Sequence, residues 1–420
     1  MPTPSKIKAT EGDSRTVGSV PVCRNHRTNL YGSLLTSNAE VNVSIEKDYE
    51  EPDNNVSVWD GVSMEVPTIE NGQYQIETAA NLAWLAAAVN GTLPQTRSEE
   101  DSFVGKTFVL TSDINLNGHE WTPISMSTDL ANKKNFRGTF DGQGHKLQNI
   151  GSMLFGTTDG ATIKNIGLES GTVVQNLTYA QYTGTLVGSC EGNDPTTISN
   201  CYSKVNLSSA SNDAGGLVGK LYGTLSDSYY SGIIRVSGTV GGLIGSSASA
   251  SKPANVDHCY VSSTIIKSSG SASNRGALAG YLHSGSQLFR CFSVEGLDNQ
   301  VGTKKGVTSL CMERTADLFA NGSVCWLLND NSSSKPAWFQ HLGEDKYPVL
   351  DETHGIVTYK GGVYMNLEGN DVEDAVIDSN LMVEVYDISG RLVRKSVPSN
   401  RALYGLPRGI YVVNGVKIVL

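Results

Sequence analysis

A short glycine-rich box recurs four times in the middle of this chain, and it limits the fold more than any other feature. The copies are Tyr182-Thr-Gly-Thr-Leu-Val-Gly188, Asp213-Ala-Gly-Gly-Leu-Val-Gly219, Thr239-Val-Gly-Gly-Leu-Ile-Gly245 and Asn274-Arg-Gly-Ala-Leu-Ala-Gly280. A weaker first copy is Ser152-Met-Leu-Phe-Gly156. The closing glycines Gly156, Gly188, Gly219, Gly245 and Gly280 lie 32, 31, 26 and 35 residues apart. Self-similarity at periods of roughly 20–50 residues signals stacked units, each of which buries its apolar face on the next.

A second box follows each glycine-rich one. It reads Ile198-Ser-Asn-Cys-Tyr202, Leu225-Ser-Asp-Ser-Tyr229, Val256-Asp-His-Cys-Tyr260 and Leu288-Phe-Arg-Cys-Phe292, with earlier copies at Ile163–Ile166 and Leu147–Ile150. Stacking neighbouring turns of chain roughly 4.8 Å apart makes two ladders. One is Leu147, Ile163, Ile198, Leu225, Val256 and Leu288. The other is Ile150, Ile166, Cys201, Ser228, Cys259 and Cys291.

The ladder cysteines read as small buried hydrophobes, because Ser228 and Ile166 share their column. Metal or disulfide chemistry would not tolerate those replacements. The aromatic column Tyr202, Tyr229, Tyr260 and Phe292 reads as packing, with a ligand-stacking stripe as the alternative. Strand alternation puts Leu217 and Val218 on opposite faces, as it does Leu243 and Ile244. That strand is either covered on both sides or leaves an apolar stripe for a partner.

Flanking segments read as closures of the stack. Thr78–Gly91 predicts one helix, capped by Thr78 and ended by Asn90-Gly91, with Leu82, Leu85 and Val89 on one face. Phe136–Leu147 carries the glycine spacing of a tight hairpin, in which Asp141-Gly-Gln-Gly144 is a turn and not a phosphate loop. Ala320–Leu350 suits a short helix and an aromatic-rich cap. From Leu381 onward strands and turns alternate, and Asn414-Gly415 is a hairpin signal. The domain reading is 1–55, 65–350 and 355–420. The fold class expected is all-β: a right-handed parallel β-helix (solenoid) with helical and aromatic caps, then a small Ig-like β-sandwich.

Net charge is −10 over 420 residues, which disfavours nucleic acid as a partner. The longest apolar run, near Ala83–Val89, is far short of the ~20 residues that span a bilayer. The start, Met1–Lys6, shows no apolar signal-peptide core.

The glycine boxes resemble the GLUG motif of large bacterial surface proteins and of some IgA-specific metallopeptidases. The resemblance covers about 135–310, or about 65–350 with the flanking caps, and implies a β-helix on the cell exterior. Val383–Val393 and Gly409–Val413 resemble the sorting domain of type IX secretion, common in Bacteroidetes, although only Lys417 supplies the basic end expected of it. Val22–Thr36 resembles the closing part of a fimbrillin-like domain, which implies a mature or truncated surface protein.

No catalytic motif stands out: there is no HExxH, GxSxG or P-loop, and no CxxC among Cys23, Cys190, Cys201, Cys259, Cys291, Cys311 and Cys325. The histidines His26, His119, His145, His258, His283, His341 and His354 include no pair at helical zinc spacing. Asp113, Asp141 and Asp227 are too scattered in sequence to propose as a carboxylate cluster. Asp371, Glu373 and Asp374 read as solvated loop acids, with calcium the alternative. Among the repeats the visible cations are Lys164, Lys204, Lys220 and Arg235.

No catalytic residue, metal site or cofactor is therefore expected, and no binding residue stands out. The function expected is an extracellular adhesin-like binding protein at the cell surface, taking a host or matrix glycan or protein ligand and not spanning a membrane. The alternatives are a β-helical polysaccharide lyase or hydrolase, and a structural stalk or pilus-associated subunit contacting other surface proteins.

Overall fold

Phe140, Ile163, Ile198, Leu225, Val256 and Leu288 stand side by side on six successive parallel strands, each paired with the next. All six are fully or almost fully buried. Burying one such side chain stabilises a fold by about 1.5–3 kcal/mol, so a six-rung row is a strong organising element.

In this computed structural model the described residues are 56–93, 103–126, 135–175, 182–190, 192–209, 213–267, 274–297, 299–367, 382–398, 402, 406–407 and 409–413, together with the backbone of strands 6–8, 14–16, 27–31, 42–46 and 416–419. They form a β-rich protein, mostly of parallel strands, with three short helices. The chain divides into two compact units, Met1–Val56 and Ser57–Leu420. In the first unit Lys6–Lys8 pairs with Ser14–Thr16, and Arg27–Tyr31 with Asn42–Glu46, both antiparallel. The remainder of the fimbrillin-like segment, with Cys23 and His26, lies outside the described residues.

The second unit repeats one itinerary. Strand Val187–Cys190 is followed by the pair Thr196–Ser199 and Tyr202–Ser203, then Asn206–Ser209, then Asp213–Gly215, and Val218–Leu221 begins the next pass. Each strand pairs in parallel with its counterpart one pass later. The strands gather into parallel sheets of six, four and four strands and a largest sheet of seventeen. The last pass is abridged: Val301–Lys304 leads directly to Thr308–Arg314.

The glycine box is the corner between two of these sheets. Leu217 and Val218 are both fully buried, as are Leu243 and Ile244, because the chain bends between them and resets the strand alternation. The corner is tight. A Cβ on Gly215 would stand 2.0 Å from the Val218 carbonyl oxygen, and one on Gly219 2.4 Å from the Thr183 nitrogen. No side chain fits at either position.

The second box is another corner. Asn165, Asn200, Asp227, His258 and Arg290 each take a positive φ of 45–54° there. After Asn165 the next residue, Ile166, is simply buried; after the other four it turns inward and donates to the carbonyl two residues back. Cys201 Sγ reaches Ser199 O at 3.1 Å, Cys259 Sγ reaches Asp257 O at 3.1 Å, and Cys291 Sγ reaches Phe289 O at 3.0 Å. Ser228 Oγ makes the same bond to Ser226 O at 2.6 Å. That shared bond explains why serine and cysteine alternate in the column.

Two sequence expectations need correction at the first passes. Leu147 does not sit in the Ile163 row; it pairs with Ile114 and Leu168, one strand further on, and Ile150 bridges Gly171. Phe140 takes the vacated rung. Nor is Phe136–Leu147 a hairpin. Thr139–Asp141 and Lys146–Gln148 each pair in parallel with the passes on either side, so Asp141–Gly144 is a corner.

Helix α1 (Ala79–Asn90) forms as expected. The Thr78 side chain accepts from the Asn81 N–H, and Gly91 ends the helix at φ 69°. Ala80, Ala83, Ala86 and Ala87 are buried as well as Leu82, Leu85 and Val89, so the helix is enclosed on more than one face. It shares the main core with Phe108, Leu110 and Ile114 of the first passes.

Helices α2 (Ala316–Ala320) and α3 (Ser323–Leu328) open the aromatic segment. This segment does not close the end of the stack. It covers the outer flank of the largest sheet, where Phe319, Val324, Cys325, Leu328 and Trp338 pack on Tyr229, Tyr260 and Phe292. The aromatic column is an apolar stripe, and this cover keeps it from water. Beyond it, Val357–Lys360 pairs with Val363–Asn366, and four strands within 382–419 form a second antiparallel sheet. Val363, Val385, Ala402, Tyr411 and Val413 form a core there, in the same compact unit as the repeats. The unit also starts before residue 65, since Ser57–Val58 pairs with Ile114–Asn115.

Candidate functional site

The aromatic column stops at Tyr202. Tyr202 stacks on Tyr229 at 5.0 Å between ring centroids, and Tyr229 on Tyr260 at 4.9 Å, both with nearly parallel ring planes. The register one pass earlier puts Gly167 beside Tyr202, and Lys146 beside Gly167. The covering segment packs on the rings, with Trp338 5.4 Å from Tyr260. Where rings give way to glycine and lysine, that contact is lost and a cleft of about 810 Å³ remains.

One wall of the cleft is the sheet flank, with Gln143, Lys146, Asn165, Asn200, Tyr202 and Lys204. The other is the covering segment, with Phe339, Asp345, Asp351, Glu352 and His354. Glu169 lies at the centre of the polar network. Its carboxylate accepts from Tyr202 Oη at 2.7 Å and from Lys204 Nζ at 2.6 Å. Burial pushes the Glu169 carboxyl up, but the hydrogen bonds from Lys204 and Tyr202 outweigh it and hold it below its ordinary value. Burial and the adjacent carboxylate push the Tyr202 phenol upward, so it serves as a neutral donor. Lys204 also lies over the Tyr202 ring, 5.4 Å from its centroid.

An amide row runs along the corner beside this network. Asn200 Nδ2 donates to Asn165 Oδ1 at 3.2 Å, and Asn165 Nδ2 to Asp141 Oδ1 at 2.9 Å. On the opposite wall, Asp351 accepts from the Thr353 N–H and hydroxyl. Burial raises the Asp351 carboxyl and these bonds more than compensate, leaving it below its ordinary value. Asp345 meets His354 Nδ1 at 2.6 Å.

The three aspartates considered from sequence are not brought together in the cleft. Asp113 pairs with His145 at 3.1 Å and Asp141 with Lys164 at 3.0 Å. Asp227 lies at a corner beside His258, where burial raises its carboxyl. Of the four cations considered, Lys204 lines the cleft, while Lys220 lies 4.2 Å over the Tyr182 ring. Asp371, Glu373 and Asp374 lie outside the described residues. The ladder thiols suit a packing role. Burial pushes Cys201 up to about 12 and Cys291 well above its ordinary value, so both stay protonated and poorly nucleophilic.

The aromatic column is mostly packing, as expected. Tyr229, Tyr260 and Phe292 are under the covering segment, and Tyr202 is half-buried at the cleft. Sequence spacing did not reveal the cleft's far wall. His341, Asp345 and His354 offer donor atoms within 4.8 Å of one another, yet lie in a loop where no periodicity advertises them. Among the described residues, no helix is long and apolar enough to cross a membrane.

Residues 6–79 match the model of a family of unknown function, DUF6562. No curated protein matches the chain. A solved structure from Bacteroides ovatus, provisionally named an immunoglobulin A1 protease, aligns at 17% identity and a TM-score of 0.42, over 66% of this chain and 92% of that one. A second solved chain, called IgA1 Protease, aligns at 14% identity and a TM-score of 0.33, over 68% of this chain and 23% of its own.

Proposed function

We propose that this chain is an extracellular, adhesin-like binding protein of a bacterial surface, with the cleft beside Tyr202 as its ligand site. In this reading the repeated passes form a right-handed parallel β-helix of the GLUG type that serves as a rigid scaffold. The strands of 355–420 form a small Ig-like sandwich resembling a sorting domain, and the segment before residue 56 is a fimbrillin-like remnant.

The observation that carries the reading is the cleft's polar lining. Asn165, Asn200, Gln143, Glu169, Lys204 and the Tyr202 hydroxyl put amide, carboxylate, ammonium and phenol groups on one rigid sheet flank. Rigid, converging donors and acceptors suit a hydroxyl-rich ligand, a host or matrix glycan, because little side-chain freedom is lost on binding.

Four carboxylates line the cleft, which is the observation favouring a polysaccharide hydrolase or lyase as a second reading. A general acid, however, needs a carboxyl that stays protonated near neutrality. Glu169 and Asp351 are both held below their ordinary range, which favours binding over catalysis.

The test is retention of the full chain on glycan arrays, mucin and matrix proteins, with Lys204→Ala and Asn200→Ala alongside. The reading expects retention that these variants weaken by at least tenfold. No retention on any glycan or matrix surface, or release of reducing or unsaturated sugar from a polysaccharide, overturns it.

A further inference from the structure

We infer that His341, Asp345 and His354 form a binding site for a divalent transition ion of the zinc class. The inference rests on these three side chains and the loop that holds them, and does not depend on the glycan reading.

The donor set has the right chemistry. Two imidazoles and one carboxylate are borderline ligands that suit Zn²⁺, and three protein ligands leave a fourth position for water or a ligand atom. The three donor atoms lie within 4.8 Å of one another. The two imidazole rings are 5.3 Å apart, centroid to centroid. Zinc bonds of roughly 2.0–2.2 Å need donors only a little over 3 Å apart, so a small rotation of the exposed His341 closes the set.

The loop is built to hold that geometry. Asp345 Oδ2 accepts from the His341 N–H at 2.6 Å, and the Asp345 N–H donates to His341 O at 2.9 Å. Gln340 Nε2, whose residue is buried, donates to the Asp345 carbonyl at 3.1 Å. Asn366 accepts from the Leu342 N–H at 2.8 Å. The His354 N–H donates to Asp351 O at 3.1 Å. Asp345 Oδ2 and His354 Nδ1 stand 2.6 Å apart, within hydrogen-bond distance. A metal ion would take both atoms directly, or take the other nitrogen of His354 while the carboxylate orients the ring. Asp345 and His354 also line the cleft, so the open coordination position is reached from there.

The experiment is calorimetric titration of the chelator-stripped full chain, carrying no affinity tag, with Zn²⁺ alone, and with Co²⁺ to read its visible absorption. The expected result is one ion per chain, a cobalt spectrum of a four- or five-coordinate site, and at least tenfold weaker binding in His354→Ala and Asp345→Asn. His341→Ala, on an exposed side chain, keeps the test valid if either of those two variants fails to fold. His258→Ala, a histidine elsewhere, should leave the titration unchanged. Absence of saturable zinc binding, or binding that all three site variants leave intact, overturns the inference.

Discussion

The Tyr202 ring lies over Gly167: a Cβ built on that glycine would stand 2.3 Å from Tyr202 Cζ and 2.5 Å from its hydroxyl oxygen. Glycine therefore does two things at once. It ends the aromatic column and lets the last tyrosine lean over to reach Glu169. Gly167→Ala should displace the phenol, break its bond to Glu169 and cost about 1–3 kcal/mol, as overpacking does. Urea unfolding would measure the loss. Tyr202→Phe should keep the ring stacked on Tyr229 and cost about 1 kcal/mol, the net value of one hydrogen bond.

Glu169 makes stability depend on pH in a defined direction. Its folded-state carboxyl is held below the ordinary value of 4.5. A group depressed on folding stabilises the fold above its unfolded value, and the contribution is lost as pH falls through the folded one. The stability of the chain should therefore decline from about pH 5 downward. Glu169→Gln should flatten part of that decline and lower stability at pH 7, seen in thermal unfolding at several pH values. An identical acid limb in the variant would show that the carboxylate gains nothing from Lys204 and Tyr202.

Asp227 should behave in the opposite sense. Burial raises its carboxyl, so the ionised form is disfavoured in the fold, and the stabilisation present at low pH is lost as pH rises through the raised value. The equivalent corner positions hold Asn165 and Asn200, which tolerate the same positive φ without charge. Asp227→Asn is therefore expected to raise Tm by a few degrees at pH 7.5, with the gap closing below pH 4. Equal Tm values at pH 7.5 would contradict the raised carboxyl.

How much of this was legible beforehand differs from residue to residue. The Ile198, Leu225, Val256 and Leu288 row was readable because stacked strands repeat the same burial at the same place. Leu147 reads as a member of the Ile163 row because Leu-Gln-Asn-Ile and Ile-Lys-Asn-Ile look alike locally. Both contain an asparagine at positive φ, Asn149 and Asn165, but at different corners. Only pairing with Ile114 and Leu168 separates them. The cleft was hidden for a similar reason. It depends on Gly167 falling in the tyrosine column and on a segment more than a hundred residues later folding over it. The His341, Asp345 and His354 set carries no periodic signal, because a loop and not a helix brings it together.

The glycine box makes a sharper prediction. Gly215 and Gly219 face backbone on both sides of one corner, with the Val218 oxygen 2.0 Å from one built Cβ and the Thr183 nitrogen 2.4 Å from the other. Backbone cannot rotate aside as a side chain can. Gly219→Ala should cost at least about 1–3 kcal/mol and propagate to neighbouring passes, since its own strand pairs with Val187–Cys190 and Ile244–Ser247.

The corner thiols and hydroxyl give the last prediction. Ser228 Oγ donates to Ser226 O and accepts from the Cys201 N–H at 3.1 Å, all within a buried column. Ser228→Ala leaves the Cys201 N–H without that partner and takes one of two donors from the Ser226 carbonyl, which keeps the Asn200 N–H at 3.3 Å, and should cost about 1–3 kcal/mol. Cys259→Ser keeps a donor for Asp257 O, the bond that Cys259 makes through sulfur, and should cost less than Cys259→Ala, which loses both the bond and the volume. Denaturant midpoints for the three variants order these effects. A Cys259→Ser variant less stable than Cys259→Ala would mean that the column selects for apolar bulk and that the shared bond to the second carbonyl is incidental.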